Sequence, residues 1–231
     1  RSSLRLPYYL PSSSARMAFS SPMACSCSAA KWSPYHGAAY AVVDACAKVV
    51  AAGARYDNMR FSYQEYFERM TDAKSWGKPL AALLGALKMQ VELGLPSIGG
   101  KDSMSGTFRD INVPPMLMAF GITTVDARNV ISPEFKEGGH NIYVVRHTPT
   151  ENYMPATDQL KDNFDFVADK ILSGDIVAGY AVGFGGVAEA VAKMSFGNKI
   201  GAVLECDEQM LYNLSYGSIV VESRRTQNCP A

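Results

Sequence analysis

The residues best suited to chemistry lie in one string, GGKDSMSG, at positions 99–106. Its leading glycines leave backbone N–H groups open to close approach, Lys101 supplies a positive charge, and Ser103 and Ser105 supply hydroxyl groups. Because amides, ammonium groups and hydroxyl groups are what proteins use to hold anions, the string predicts a phosphate-binding loop. The alternative is a tight turn whose polar side chains are only solvated.

The string does not match a Walker A phosphate loop. Five residues separate Gly94 from Gly100, and Asp102 follows Lys101 where that loop requires a hydroxyl residue. The chain has 22 basic and 22 acidic residues and no net charge. Any anion binding must therefore be local, and neither nucleic acid nor an anionic membrane is an expected partner.

Two aspartates are further candidates. Asp57, in the stretch YDNMRF, is placed to orient a ligand or a metal, although aspartates at strand ends are more often caps or turn residues. Asp44 lies in an apolar helical pattern. It is either a site residue or the partner of Lys48, one turn further along the helix.

Cysteine and histidine form no pattern typical of catalysis or metal binding. The five cysteines have no disulfide-framework spacing, and the three histidines have no ligand spacing. These features favour a reducing, cytoplasmic compartment. The glycine-rich stretch 179–190 precedes a helical pattern and could cradle an anion, but no base is evident beside it, so we favour a structural role there.

The hydrophobic pattern predicts the elements that position these residues. A helix over 79–93 carries leucines on one face and ends at Gly94, and a short PSIGG strand connects it to the string at 99–106. The pattern predicts further helices over 37–52, 158–172 and 185–194, and strands over 56–61, 115–125, 142–145, 201–205 and 217–222.

The chain divides into three parts. Residues 1–33 are rich in serine and interrupted by prolines, and we expect a loop-like lead-in. A polar connector near 130–141 then separates an N-terminal subdomain, residues 34–130, from a C-terminal α/β subdomain, residues 131–231. The chain begins at Arg1 and not at Met, so we interpret it as a piece of a longer protein with a truncated C-terminal subdomain.

Four separated motifs occur in the same order in one enzyme family: VVDACAKV, YDNMRF, LGLPSIGGKDSMS and AFGITTVDARNVISPEFK. Over residues 37–222 the chain resembles the second synthetase half of the phosphoribosylformylglycinamidine synthases, which belong to the aminoimidazole ribonucleotide synthetase-like superfamily. The resemblance implies an α/β (α+β) fold with two subdomains and mixed sheets covered by helices.

The resemblance also implies an activity. The family converts formylglycinamide ribonucleotide to its amidine in purine biosynthesis: ATP activates the amide oxygen as an iminophosphate, and glutamine-derived ammonia displaces the phosphate. ATP and Mg²⁺ are the implied cofactors, and the first synthetase half and the glutaminase domain are the implied partners. By position, Asp57, Gly100 and Lys101 resemble ATP-site residues, and Ser103 resembles a contact to the ribonucleotide. Lys101 stands where the small form of the enzyme has a metal-binding asparagine.

The chain departs from the family at an auxiliary magnesium-nucleotide site of the large form. Asp44 matches its first acidic ligand, but Lys48 stands at an expected asparagine, and Ala181 and Phe184 stand at expected acidic positions. Because these changes remove oxygen ligands and add a cation, we expect the metal site at Asp44 to be degenerate.

Other functions stay open. None of the family's catalytic residues is expected in this chain, so we expect the chain alone to be inactive. It is alternatively a structural half-repeat that scaffolds the other synthetase half, or another ATP-dependent member of the superfamily, such as a relative of the selenophosphate synthetases. An exposed sheet edge would also favour self-association.

Overall fold

The sheet of the N-terminal part contains residues 99–103 of the string in its edge strand. The structure, a computed structural model, describes residues 16–21 and 27–225. This sheet is built from Arg16–Ser21 (β1), Arg60–Tyr66 (β2), Ser97–Ser103 (β3) and Met116–Asp126 (β6). Its strand order is β1-β6-β2-β3. The sheet is mixed, because β2 pairs in parallel with β3 and antiparallel with β6.

The second sheet lies in the C-terminal part of the chain. It consists of Asn141–Val145 (β7), Ile176–Ala181 (β8) and Ile219–Ser223 (β9), with β9 in the centre and both pairings antiparallel. The helices Thr157–Leu172 (α4), Gly186–Phe196 (α5) and Glu208–Tyr212 (α6) accompany it. A short hairpin of Thr107–Phe108 (β4) and Ile111–Asn112 (β5) completes the strands.

One apolar helix packs against both sheets. Pro34–Ala51 (α2) follows the short helix Cys27–Trp32 (α1), and 13 of its 18 residues are buried. Its side chains are mostly small, so neighbouring backbones come close to it. At one such contact, a Cβ on Gly179 of β8 would lie 2.9 Å from the carbonyl oxygen of Ala51, so glycine is needed on the strand. The largest cluster of buried residues accordingly draws members from both parts of the chain.

Buried His147 joins three segments of the C-terminal part. Its Nδ1–H donates to the carbonyl oxygen of Tyr216 at 2.8 Å, and its Nε2 accepts from the N–H of Ala156, at the start of α4, at 3.0 Å. Burial lowers the pKa of His147 below 6.5, against the smaller effect of the bond to Tyr216. The neutral ring satisfies both partners, whereas a protonated ring would lose the bond from Ala156.

The helix before the string begins earlier than predicted. Ala73–Leu93 (α3) starts six residues before Pro79, because Asp72 and Ser75 form a reciprocal capping box. It ends at Gly94 in the left-handed conformation, as predicted. Its buried face consists largely of small residues, including Ala82, Gly85 and Ala86, and the leucine face is exposed.

Several other predictions need correction. The strand predicted over 56–61 begins only at Arg60, because the Met59 N–H closes a turn onto the Tyr56 carbonyl oxygen. No strand forms over 201–205, where most side chains are exposed and none of the described strands pairs with the segment. Part of the predicted lead-in forms β1, α1 and the N-cap Ser33 of α2, and residues 1–15 and 22–26 lie outside the described residues.

The remaining predicted elements are confirmed. These are α2, α4 and α5 among the helices, and β6, β7 and β9 among the strands. None of the described helices combines the length and apolar composition that crossing a membrane requires.

Candidate functional site

The predicted loop is largely an edge strand. Residues 97–103 form β3, which pairs with β2 and with no other described strand, and the string leaves the strand after Ser103. All residues of β3 up to Asp102 are exposed, and Ser103 is half-buried. One edge of β3 therefore faces away from the sheet with its N–H and C=O groups unpaired by any described strand. The first five residues of the string are thus an edge strand and not a loop, but their backbone is still accessible.

Glycine at position 100 is required by strand packing. A Cβ there would lie 2.7 Å from the carbonyl oxygen of Tyr63, its partner on β2. Gly99 differs: its φ of +154° is rare for other residues, and nothing lies within 4 Å of its Cβ position. The pairing of β2 with β3 also shifts register between Phe61 and Ser62. Gly100 thus allows β3 to pack closely on β2, and Gly99 leaves the backbone open to solvent.

Lys101 and Ser103 keep their polar groups available. The Lys101 side chain is exposed, and its Nζ makes only a 3.5 Å contact with the carbonyl oxygen of Asp102. Among the described residues, no carboxylate pairs with it. The Ser103 carbonyl oxygen accepts from the Phe67 N–H at 2.9 Å, and no hydrogen bond within the described residues involves the Ser103 hydroxyl. Both groups are free to contact a ligand.

Asp57 lies at the far end of β2. Its Oδ2 is 3.3 Å from Nε of Arg55, which also contacts Asp165 at 2.7 Å and Asp169 at 3.1 Å on α4. Since Ser103 pairs with the last residue of β2, and seven residues of strand extend roughly 20 Å, the fold does not bring Asp57 and Ser103 together. Asp57 is half-exposed and belongs to an ion-pair cluster.

Asp44 is buried on α2 beside a cation. Its Oδ2 lies 2.6 Å from Nζ of Lys48, so the pair within the helix is formed. Burial raises the pKa of Asp44 and Lys48 opposes the rise. The pKa of Glu189 on α5 is lowered mainly by Lys193, with a smaller contribution from Lys48. In the part of the chain that the structure describes, no three acidic, histidine or cysteine side chains are grouped to hold a metal.

The sequence analysis did not identify the carboxyl group of Glu65, which lies beside the string. Glu65 of β2 is only 4% exposed and aligns with Asp102 of β3, and its Oε1 has no hydrogen-bond partner among the described residues. Burial, and secondarily the charge of Asp102, raise the pKa of Glu65 from 4.5 to about 7. The alternation in RFSYQEYF was the available signal, since it places Glu65 on the same face as buried Phe61 and Tyr63.

Curated relatives with the same name match most of the chain. Phosphoribosylformylglycinamidine synthase subunit PurL of Methanocaldococcus jannaschii is 27% identical over 206 residues, which cover 80% of this chain and 28% of that protein. The subunit of the same name from Thermoplasma acidophilum is 26% identical over 193 residues, which cover 73% of this chain and 24% of that protein. The chain thus spans only 28% and 24% of the length of these two relatives. The matches confirm the resemblance found in the motifs. No model of a known protein family matches the chain.

Solved structures share the fold. Phosphoribosylformylglycinamidine synthase II of Thermotoga maritima aligns with a TM-score of 0.68 at 18% identity, covering 90% of this chain and 36% of that one. T. maritima PurL complexed with ATP aligns with a TM-score of 0.65 at 16% identity, covering 90% and 35%. Thiamine monophosphate kinase of Aquifex aeolicus aligns with a TM-score of 0.59 at 13% identity, covering 94% and 83%. The predicted fold class is therefore confirmed.

Proposed function

We propose that this chain, a relative of the PurL subunits, is part of the ATP-dependent synthetase region of a phosphoribosylformylglycinamidine synthase. The reaction activates the amide oxygen of formylglycinamide ribonucleotide with ATP, as an iminophosphate, and glutamine-derived ammonia then displaces the phosphate. The partners are the other synthetase half and a glutaminase domain. The chain supplies one wall of the site and is inactive alone.

The observation that carries this proposal is the exposed strand β3. It presents an open backbone at Gly99, an ammonium group on Lys101 that no described carboxylate pairs with, and a Ser103 hydroxyl that makes no hydrogen bond to a described residue. In phosphoryl transfer the protein mainly positions groups and neutralises charge, so a strand with these groups can be functional without a nucleophile.

The order of the candidate residues suggests how ligands lie. Asp57 precedes β2, Gly100 and Lys101 lie in the middle of β3, and Ser103 ends it. A nucleotide extended along this edge would place its nucleoside toward Asp57 and its phosphates near Gly100 and Lys101. The ribonucleotide substrate would then be held at Ser103, beyond the phosphates.

Mg²⁺ accompanies ATP in this reaction, but the residues of this chain fit the ion poorly. Lys101 places an ammonium group at the position of a metal ligand, and Asp44 is already neutralised by Lys48 at 2.6 Å. Magnesium prefers several oxygen ligands in octahedral geometry. We therefore assign the magnesium ligands to other parts of the enzyme.

The test is steady-state kinetics of the assembled enzyme. Lys101→Gln should raise the KM for ATP by about tenfold, because one charged hydrogen bond contributes roughly 1.5 kcal/mol. Ser103→Ala should instead raise the KM for the ribonucleotide. Lys199→Gln, at an exposed lysine of the C-terminal part, is the matched control and should change neither KM. An unchanged KM for ATP in Lys101→Gln would overturn the nucleotide role.

The structural half-repeat is the second candidate. The ion pair of Asp44 with Lys48, and the 67% exposed Phe184 at an expected acidic position, favour it for the auxiliary site. Wild-type rates in both Lys101→Ala and Ser103→Ala would support a scaffold alone. A different ATP-dependent reaction of the superfamily would be indicated if the assembled enzyme bound ATP but not the ribonucleotide.

A further inference from the structure

An apolar face on α3 has no partner among the described residues. Six of its side chains are between 47% and 72% exposed: Trp76, Leu80, Leu83, Leu84, Leu87 and Val91. The face runs from Trp76 to Val91, and at about 1.5 Å per residue it extends along roughly 23 Å of the 21-residue helix. A different face of the same helix is buried. A continuous apolar surface of this kind is typical of an interface.

The spacing of these residues is symmetric. Counted along the chain from Trp76 to Val91, the steps are 4, 3, 1, 3 and 4 residues, the same in both directions. A second α3 laid antiparallel, with a two-fold axis between Leu83 and Leu84, would therefore place every apolar residue against an apolar residue. Trp76 would meet Val91, and Leu80 would meet Leu87. Such self-complementarity is the requirement of a two-fold interface between identical chains.

The charges at the ends of α3 give independent support. Lys74 lies in the first turn and Glu92 in the last, so each charge opposes the dipole of its own helix. In an antiparallel pair, Lys74 would lie at the same level along the pair as the negative end of the partner helix and the partner's Glu92, on the flank of the pair and outside its apolar contact. Lys74 makes no ion pair within the described residues, and Glu92 has only Lys88. A parallel pair would bring like charges together.

We propose that a second copy of this chain docks antiparallel on the apolar face of α3. The resulting dimer uses a helix, and leaves the edge of β3 free for the ligands assigned to it above. The occupant follows from the symmetric spacing and the end charges, and is independent of the proposed enzyme activity.

Sedimentation velocity of the 231-residue chain over a concentration series tests this. The weight-average mass should rise toward twice the 25.0 kDa of one chain, with a dissociation constant on the order of 10 µM. Leu87→Glu should raise that constant at least about tenfold. Leu172→Glu is the matched control, since Leu87 and Leu172 are both helical leucines and both 52% exposed.

The end charges test the orientation without touching the apolar residues. Lys74→Glu should weaken the dimer, and Lys74→Glu combined with Glu92→Lys should restore it. A monomer at every concentration would overturn the proposal and assign the face to a different protein. A dimer insensitive to Leu87→Glu would overturn it as well.

Discussion

The carboxyl group of Glu65 should make the chain less stable as the pH rises. Its side chain is 4% exposed, its Oε1 accepts no hydrogen bond from the part of the chain that the structure describes, and its pKa is raised from 4.5 to about 7. The folded protein therefore holds a proton that the unfolded chain has released between these values. This difference in proton binding contributes fully to the free energy of unfolding below pH 4.5, and the contribution is lost as the pH rises through about 7.

The size of the effect follows from the shift. A change from 4.5 to about 7, at about 1.4 kcal/mol per unit, corresponds to about 3 kcal/mol in the free energy of unfolding. Glu65→Gln keeps the shape of the side chain but cannot ionise. Relative to wild type, the variant should therefore gain about 3 kcal/mol between pH 4.5 and pH 8. For a chain of this length that corresponds to roughly 6–12 °C in the melting temperature.

The assay is urea unfolding, followed by circular dichroism, of both proteins at several pH values and one protein concentration. Asp102→Asn should move the wild-type transition to lower pH, because Asp102 is the second cause of the shift. Glu205→Gln, which alters an exposed carboxylate, should follow the wild-type profile. Parallel profiles for wild type and Glu65→Gln would refute the reasoning.

Three further sets of substitutions test buried contacts of the fold. The folded-state pKa of His147 lies below 6.5, so the free energy of unfolding should fall as the pH falls below 6.5. In urea unfolding, His147→Gln in the Glu65→Gln background should reduce that pH dependence. Gly100→Ala should reduce the free energy of unfolding by about 1–3 kcal/mol, whereas Gly138→Ala, with nothing within 4 Å of its Cβ position, should change it little. Lys48→Met should cost about 3–5 kcal/mol by leaving Asp44 buried without its cation, and adding Asp44→Asn should recover most of that loss in thermal melts.

The two faces of α3 show where sequence patterns stop being decisive. The leucine periodicity predicts the helix, because apolar residues repeat at helical spacing. It does not say which face is buried. The opposite face carries Gly85, where a Cβ would lie 2.0 Å from the carbonyl oxygen of Tyr35, so close contact with α2 requires small residues. That contact depends on the tertiary fold, which outweighs the local hydrophobic signal.

The candidate site was predictable in its chemistry and less so in its geometry. The types of Lys101 and Ser103 already indicate an anion contact, and both are available in the structure. Glycines are uncommon in strands, so the string read as a loop, and its pairing with β2 came from residues more than thirty positions away. The ion pair of Arg55 with Asp165 joins residues 110 positions apart, and nothing local indicates it.

The most direct test of the central claim maps backbone amide signals of the ¹⁵N-labelled chain during titration with the magnesium complex of a non-hydrolysable ATP analogue. Even weak binding along the edge of β3 should shift the amide signals of Gly99 to Ser103, with Lys101→Gln reducing the shifts and Lys199→Gln leaving them unchanged. Shifts confined to the glycine-rich stretch 183–186, or no shifts on β3 at saturating nucleotide, would contradict the assignment of this strand as a nucleotide contact.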